Sequence, residues 1–395
     1  MNAIEPDTVG AMRRPMRKFT VLIVDTGQPD CDLTEELVAK AGDYRPDRVA
    51  LGKISVNPAA HQPDIVVLDL GNPSNAELDA LVEIRGNYGD VPVIIVSQAL
   101  DDAQMRRLLK LKIHDWQRKP LAFADLQSAL QGSIRNARQV ANRVHAVISA
   151  VGGAGGTTVS IGMADILARK LAKQQTSVGL FDLDFSSGSV GQMLNQQARL
   201  NLDSVITNPS RIDAEFVSLI QQKHPCGFFV YSFKRRDFVT HLNGYEVVLR
   251  LLDAVTMEHG HTILDIPYYE VDWSQDVLSA VNSVTVVAEL NIPSIKHALD
   301  TLKAIGELPG NQRQVHVLLN KRDTGLFTRS RIPEGKLKEL FVETPFHYLP
   351  RDNALFSEAL DRGVVASEVR PRSKFEKALE AYVKQVILPE KTGGR

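Results

Sequence analysis

His145–Ala172 reads HAVISAVGGAGGTTVSIGMADILARKLA: an apolar β-branched run, a turn with four glycines, and a long amphipathic repeat. The first run has strand length, and the apolar spacing of SIGMADILARKLA is that of a helix. Gly152, Gly153, Gly155 and Gly156 permit the tight passage between them. A strand, a glycine-rich turn and a helix N-terminus aim backbone N–H groups and the positive end of the helix dipole at one point, which suits a phosphate. Reading outward, SVGLFDLD, GFFVYSF, HTILDIP, SVTVVAEL and QVHVLLN follow as further apolar strands, and a terminal helix is expected over 375–387. Continuous apolar strands alternating with amphipathic helices predict a parallel sheet covered on both faces.

The same alternation precedes it. FTVLIVD, PDIVVLDL and VPVIIVSQ are strand-like, with helices expected near 33–41, 76–85 and 121–137. The polar continuation RNARQVANR reads as a helical connector. The expected organisation is a flexible leader over 1–17, an α/β domain over 18–137, a helical linker over 138–144, a larger doubly wound α/β domain over 145–389 and a tail over 390–395. A chain of 395 residues has room for two or three domains at roughly 150 residues each.

Composition narrows the function. With 46 Lys+Arg against 47 Asp+Glu the net charge is −1, so no global field favours nucleic acid or an anionic membrane. The leader has no apolar stretch of signal-peptide length, and the longest apolar runs, such as 65–68 and 91–96, fall well short of the roughly 20 residues of a spanning helix. Two cysteines far apart, Cys31 and Cys226, have no CxxC or Cys/His company, so neither disulfides nor zinc are indicated and a cytoplasmic setting fits.

In an open parallel sheet, groups at the carboxyl ends of the strands converge. In the first domain these are Asp25 after the first strand, Asp69 after the third, Ser97 after the fourth, and Lys119 before Pro120 after the fifth. Carboxylates beside a hydroxyl and an ammonium suit acceptance of a phosphoryl group with a divalent cation. This set, with the proline-containing turn Asn72–Ser74, resembles the receiver domain of response regulators. The resemblance implies Asp69 as phosphoacceptor, Asp25 and Asp69 as metal ligands, Ser97 as switch hydroxyl and Lys119 as phosphate contact. The chain departs from the pattern at Thr26, where receivers carry a second acid.

In the second domain the word GGxGxTT at 152–158, DLD at 182–184, Gly188, LDIP containing Asp265, VLLN ending on Asn320 and Pro350–Asp352 together resemble the ParA/MinD family of deviant P-loop ATPases. The expected fold class is therefore two doubly wound α/β domains, receiver-like (flavodoxin-like) followed by a P-loop NTPase of the ParA/MinD (SIMIBI) type. The resemblance implies ATP or ADP with Mg²⁺. Gly152, Gly153, Gly155, Gly156, Thr157, Thr158, Asp265, Asn320, Pro350 and Asp352 would line the nucleotide. Thr157 and Asp182 would hold metal, and Asp182 and Asp184 would serve residual catalysis. The family's two signature lysines are replaced by Val151 and Gly156. This removes the cations that offset triphosphate charge, so hydrolysis is expected to be weak or absent. An active ATPase would need a replacement cation such as Lys234, Arg235 or Arg236.

A receiver-like domain joined to a ParA/MinD-like domain, with the ending NALFSEALDRGVVASEVRPRSKFEKAL, resembles the TadZ/CpaE proteins of Flp (Tad, type IVc) pilus assembly. That resemblance implies a localisation and scaffold factor, cytoplasmic and at a cell pole, that recruits the pilus assembly and secretion machinery. The expected state is a nucleotide-independent homodimer; the near-neutral charge predicts no direct nucleic-acid contact, and KQVILPEKTGGR, with its proline at 389 and little apolar length after it, predicts membrane contact only through partners. The alternatives are an active ParA/MinD-type ATPase positioning cargo and a phosphorylation-controlled response regulator.

Overall fold

The computed structural model describes residues 19–27, 31–42, 44–51, 63–70, 75–89, 91–101, 104–106, 108, 111, 113–196, 202–234, 242–269, 271–309, 313–323 and 332–388. The expected leader, the tail, the turn at 72–74 and the arginines at 235 and 236 lie outside the described residues. The chain divides into two compact units, one ending at Val140 and one beginning at Ala141.

In the first unit, β1 (Phe19–Asp25), α1 (Cys31–Lys40), β2 (Tyr44–Ala50), β3 (Ile65–Asp69), α2 (Asn75–Tyr88), β4 (Val93–Ser97), β5 (Asp115–Arg118) and α3 (Phe123–Ala141) follow in sequence. The strands form one parallel sheet in the order β2-β1-β3-β4-β5, the flavodoxin-like winding. Strand periodicity explains why β3 and β4 are buried throughout. Val21, Ile23, Ile65, Val67, Ile94 and Val96 pack with Leu37 of α1 and Leu126 and Leu130 of α3. The alternate residues Leu22, Val24, Val66, Leu68 and Ile95 pack with Leu81 and Ile84 of α2. Strand β2, YRPDRVA, is weakly apolar and contains Pro46; it is tolerated because it is an edge strand.

The second unit contains β6 (Arg143–Ser149), α4 (Gly156–Leu171), β7 (Val178–Asp182), α5 (Ala214–Ile220), β8 (Gln222–Lys223), β9 (Phe229–Tyr231), α6 (Gly244–Glu258), β10 (His261–Ile266), α7 (Ser274–Ala280), β11 (Ser283–Glu289), α8 (Ile292–Glu307), β12 (Gln314–Arg322), α9 (Glu334–Phe341), β13 (Phe346–Pro350), α10 (Asn353–Arg362), α11 (Ala366–Val369) and α12 (Lys374–Tyr382), the last continuing as a π turn to Ile387. The sheet order is β13-β12-β11-β6-β10-β7-β9-β8, parallel except for the β8–β9 hairpin. Strand β6 stands between β10 and β11, so the chain winds away from it in both directions and its carboxyl end opens on the switch-point crevice. The glycine-rich turn sits there. Helix α4 packs Val159 and Leu167 with Phe375 and Leu379 of α12 on one face of the sheet. Gly162 makes this close approach possible: a Cβ there would lie 2.6 Å from Leu379 Cδ2. No described helix is long and apolar enough to cross a membrane.

Histidines mark the amino-terminal end of this sheet. His145 Nε2 lies 3.1 Å from His261 Nδ1, the rings stack at 5.3 Å, and His145 Nδ1 meets Ser283 Oγ at 2.8 Å. His259, nearby in sequence, contacts Tyr231 Oη at 2.7 Å and Ser177 Oγ at 3.1 Å. Burial disfavours the imidazolium, holding His145 well below the ordinary range and pushing His259 and His261 down to about 4. The unfolded chain therefore binds more protons than the folded one between pH 6.5 and about 4, and stability falls as pH drops through that window. His261→Asn, which cannot take up a proton there, should lose less stability than the unsubstituted chain between pH 6.5 and 4.5, by about 1 kcal/mol. Urea unfolding at the two pH values measures the difference, and equal losses would contradict the assignment.

Candidate functional site

The loop after β6 closes largely on itself. Gly155 adopts φ 101°, a left-handed backbone where glycine is favoured, and a Cβ there would lie 2.4 Å from Asn320 Nδ2. That amide donates to the carbonyl of Ala154 at 2.9 Å. Gly156 is buried and begins α4, and its N–H donates to Ser149 Oγ at 3.0 Å. A Cβ on Gly156 would come 2.4 Å from that hydroxyl. One of the helix N-terminal donors that would face an anion is thus already satisfied by β6 itself. Gly152 and Gly153 are exposed at the loop tip, and a Cβ on Gly152 would lie 3.1 Å from the ring of Tyr268.

Two carboxylates stand beneath the loop at adjacent strand ends, Asp182 of β7 in register with Asp265 of β10. Asp182 is wholly buried and Asp265 nearly so. Asp182 accepts from Ser232 Oγ at 2.9 Å and from the N–H groups of Asp184 and Val190 at 3.1 and 3.2 Å. Asp265 accepts from Ser160 Oγ at 2.9 Å and from the Thr157 hydroxyl. Burial raises both pKa values, and the charge of Asp265 raises Asp182 further. Among the described residues neither carboxylate has an ion pair. Gly188 keeps the neighbourhood open, since a Cβ there would lie 2.6 Å from Asp182 Oδ2. Two buried carboxyl groups beside the Thr157 hydroxyl form an oxygen donor set that suits Mg²⁺, whose charge would favour their ionised form.

Other expected nucleotide residues carry structural duties. Asp184 closes its own turn by accepting from the N–H groups of Ser186 and Ser187 and from Ser187 Oγ, and it also accepts from Tyr269 Oη at 2.6 Å. Asp352 caps α10 by accepting from the N–H of Leu355 at 3.1 Å, and it pairs with Arg370 at 2.7 Å. Pro350 ends β13 in register with Arg322. Thr158 is half-buried in the first turn of α4.

Among the described residues the cation that reaches the loop is Lys321, which sequence reasoning missed. Its Nζ donates to the Gly153 carbonyl and pairs with Glu289, each at 2.6 Å. The available signal was its place beside Asn320 in VLLNKRD. Lys234 is exposed at the end of the segment after β9, and no contact joins it to the loop among the described residues.

In the first unit the strand-end residues form a closed cluster. Asp69 is wholly buried, with Lys119 Nζ at 2.6 Å from Oδ1 and Thr34 Oγ1 donating to Oδ2 at 2.5 Å. Thr26, in the place of a second acid, donates to the Asp69 carbonyl at 2.7 Å. Asp25, in register with Asp69, turns its carboxylate to Arg48 at 2.6 Å, and its Oδ1 accepts from the N–H of Gly27 at 2.6 Å. Burial raises the Asp25 carboxyl, but the Gly27 N–H and the Arg48 guanidinium outweigh it and hold the pKa below the usual value. Ser97 donates to the Gln98 carbonyl and accepts from Trp116 Nε1 at 3.0 Å. Side-chain cations face both acids of the expected metal site, Lys119 at Asp69 and Arg48 at Asp25. The expected phosphoacceptor Asp69 is buried, its Oδ2 accepting from Thr34 and its Oδ1 facing the Lys119 ammonium.

No family model matches the chain. It is similar to the probable C4-dicarboxylate response regulator DctR of Halalkalibacterium halodurans, 36% identical over 69 residues, which are 18% of this chain and 30% of the regulator. It is also similar to the transcriptional regulatory protein KdpE of Mycobacterium tuberculosis, 32% identical over 77 residues, covering 20% of this chain and 34% of that protein. The chain thus spans about a third of the length of the curated relatives it matches. A solved structure of a ParA family ATPase from Chlorobium tepidum TLS aligns with 61% of this chain and 97% of its own, at TM-score 0.54 and 19% identity. Together with the two sheet orders, these likenesses give a two-domain α/β protein, receiver-like and then ParA/MinD-like in fold.

Two outcomes follow from the carboxylates. Asp69→Ala removes the carboxylate that faces the buried Lys119 ammonium and should destabilise the first unit by about 3 kcal/mol; Asp69→Ala with Lys119→Met should recover part of that loss in denaturant unfolding. Asp265→Asn removes one of two buried like charges. A carboxyl whose folded pKa is raised stabilises at low pH and loses that contribution as pH rises through the folded value. The gain from Asp265→Asn should therefore be larger at pH 8 than at pH 5, by about 1 kcal/mol, and a gain independent of pH would refute the pairing.

Proposed function

We propose that this protein is a ParA/MinD-type positioning and scaffold factor whose P-loop has lost the means to turn over ATP, and that it recruits Flp/Tad pilus assembly machinery to a cell pole. The observation that carries the reading is at Gly156. Where the family places a lysine, this chain has a buried glycine whose N–H is taken by Ser149 Oγ and whose Cβ space is filled by that hydroxyl. A missing transition-state cation costs on the order of 3 kcal/mol or more in phosphoryl transfer. Lys321 does not replace it, because its ammonium is committed to the Gly153 carbonyl and to Glu289.

The remaining backbone donors of the loop, with Thr157, Asp182 and Asp265, still offer a place for ADP or ATP with Mg²⁺. Binding without turnover suits a scaffold: the ligand would order the loop while the outward surfaces do the recruiting. Dimerisation then rests on protein surface rather than on a lysine reaching across to a second nucleotide. The first unit serves as a docking domain, since Asp69 and Asp25 are neutralised from within. We place the protein in the cytoplasm, at the membrane only through its partners, with no direct nucleic-acid contact.

Purified protein should release phosphate from ATP and Mg²⁺ at the buffer background. The double substitution Gly156→Lys with Ser149→Ala, which supplies the cation and clears its space, should bind ATP at least about tenfold more tightly by equilibrium titration. Brisk magnesium-dependent turnover by the unsubstituted chain would overturn the scaffold reading. A fluorescent fusion should form a polar focus and co-purify with pilus secretion components, whereas diffuse fluorescence would remove the positioning role. Sedimentation should show a dimer with and without ATP, and a monomer in both conditions would reject that part.

A further inference from the structure

The tight turn between β8 and β9 reads His224-Pro225-Cys226-Gly227. Gly227 at φ 98° and the bonds His224 N–H to Phe228 O (2.8 Å) and Gly227 N–H to His224 O (2.9 Å) fold it back on itself. The fold brings His224 and Cys226 together, with the Cys226 N–H 3.2 Å from His224 Nδ1. The imidazole is buried and stacked on Phe228, centroids 4.6 Å apart at 16°, so its direction is fixed. From α11, 142 residues further along, Glu368 meets the thiol: Cys226 Sγ donates to Glu368 Oε1 at 3.1 Å. One imidazole nitrogen, the sulfur and a carboxylate oxygen all lie within 4.8 Å of one another. The sequence reading gave neither cysteine Cys/His company, yet His224 stands two residues before Cys226 and the third group comes from a distant element.

We propose that His224, Cys226 and Glu368 bind one borderline-soft divalent cation of the zinc type. A nitrogen, a thiolate sulfur and a carboxylate oxygen form the mixed donor set zinc accepts, and they are poorly suited to Mg²⁺ or Ca²⁺. Tetrahedral coordination with a metal–sulfur bond of about 2.3 Å and metal–nitrogen and metal–oxygen bonds of about 2.0 Å separates donors by roughly 3.5 Å. The sulfur and the carboxylate oxygen, at 3.1 Å, need to part by a few tenths of an ångström, and the remaining pairs, within 4.8 Å, to close by at most roughly an ångström. The cation takes the place of the thiol proton that now points at Glu368, and that proton leaves to solvent; nothing is oxidised or reduced. It also takes the Nδ1 lone pair from the weak contact with the Cys226 N–H. Asp165 and Arg169 of α4 are the next charged neighbours, and Arg169 is itself held by Asp165 at 2.9 Å and Glu376 at 2.7 Å.

Three protein ligands leave a fourth position for water or for a group from a partner, the arrangement of an open rather than a closed zinc site. The ion would tie the hairpin at the β8 edge of the sheet to α11. It is separate from any Mg²⁺ held beneath the glycine-rich loop, which calls for oxygen donors.

The test uses the full chain stripped of metal. Zinc titrated against a chromophoric chelator should bind one equivalent per chain with a dissociation constant below about 1 μM, equivalent to roughly −8 kcal/mol. Cobalt(II) should give a thiolate-to-metal charge-transfer band. Cys226→Ser should abolish the band, Glu368→Gln should weaken zinc by at least about tenfold, and Cys31→Ser, at the other cysteine, should leave both intact. Because His224 is buried, the two more exposed ligands carry the test, with circular dichroism confirming that their variants fold. Sub-stoichiometric zinc, no charge-transfer band, or a band that survives Cys226→Ser would each overturn the proposal.

Discussion

The arrangement at the carboxyl end of β6 depends on one hydrogen bond, from the Gly156 N–H to the Ser149 hydroxyl. It joins the last residue of the central strand to the first residue of the helix that follows, across the loop, and it settles two matters at once. It fixes the mouth of the loop, and it occupies the space where an ammonium-bearing side chain would begin. Asn320, reaching over from β12 to the Ala154 carbonyl, holds the far side in the same way. The loop is braced by its own chain at both sides.

The two units solve one problem in opposite ways. Both gather acids at the ends of parallel strands, where the topology forces them together. The first unit answers each acid with a cation from its own sequence, Lys119 for Asp69 and Arg48 for Asp25. Among the described residues the second leaves Asp182 and Asp265 facing each other with only hydroxyl and amide donors. An internal ion pair makes an outside cation unnecessary, whereas an unanswered pair keeps a standing cost that a bound cation relieves. The acids without a side-chain cation among the described residues therefore lie in the second unit, and those of the first are paired from within.

What was legible in the sequence follows from range. Strand ends were readable because apolar runs stop where strands stop, and Asp25, Asp69, Ser97, Asp182 and Asp265 stand at those ends. The two-domain α/β fold was readable from the same alternation. Strand β2 was hard to see, being polar and carrying a proline, and the two-residue β8 is too short to give a period. The partners that decide what each acid does were not readable. Thr34, Arg48, Lys321 and Glu368 act across tens to hundreds of residues, and side chains that meet only after folding leave no local pattern. Asp352 shows the converse: PRD matches a nucleotide-side word, but the local need to cap α10 takes its side chain.

The glycine in the middle of α4 has a consequence for the order of assembly. By letting Leu379 close against it, Gly162 makes the rear of the loop-bearing helix the seat of the chain's final helix. Until the ribosome has delivered that helix, Val159 and Leu167 lack their covering and α4 has only the sheet to lie on. The covering of the loop-bearing helix therefore depends on a segment far along the chain, and a chain broken off before residue 374 would carry every residue of the loop yet lack the buttress behind it.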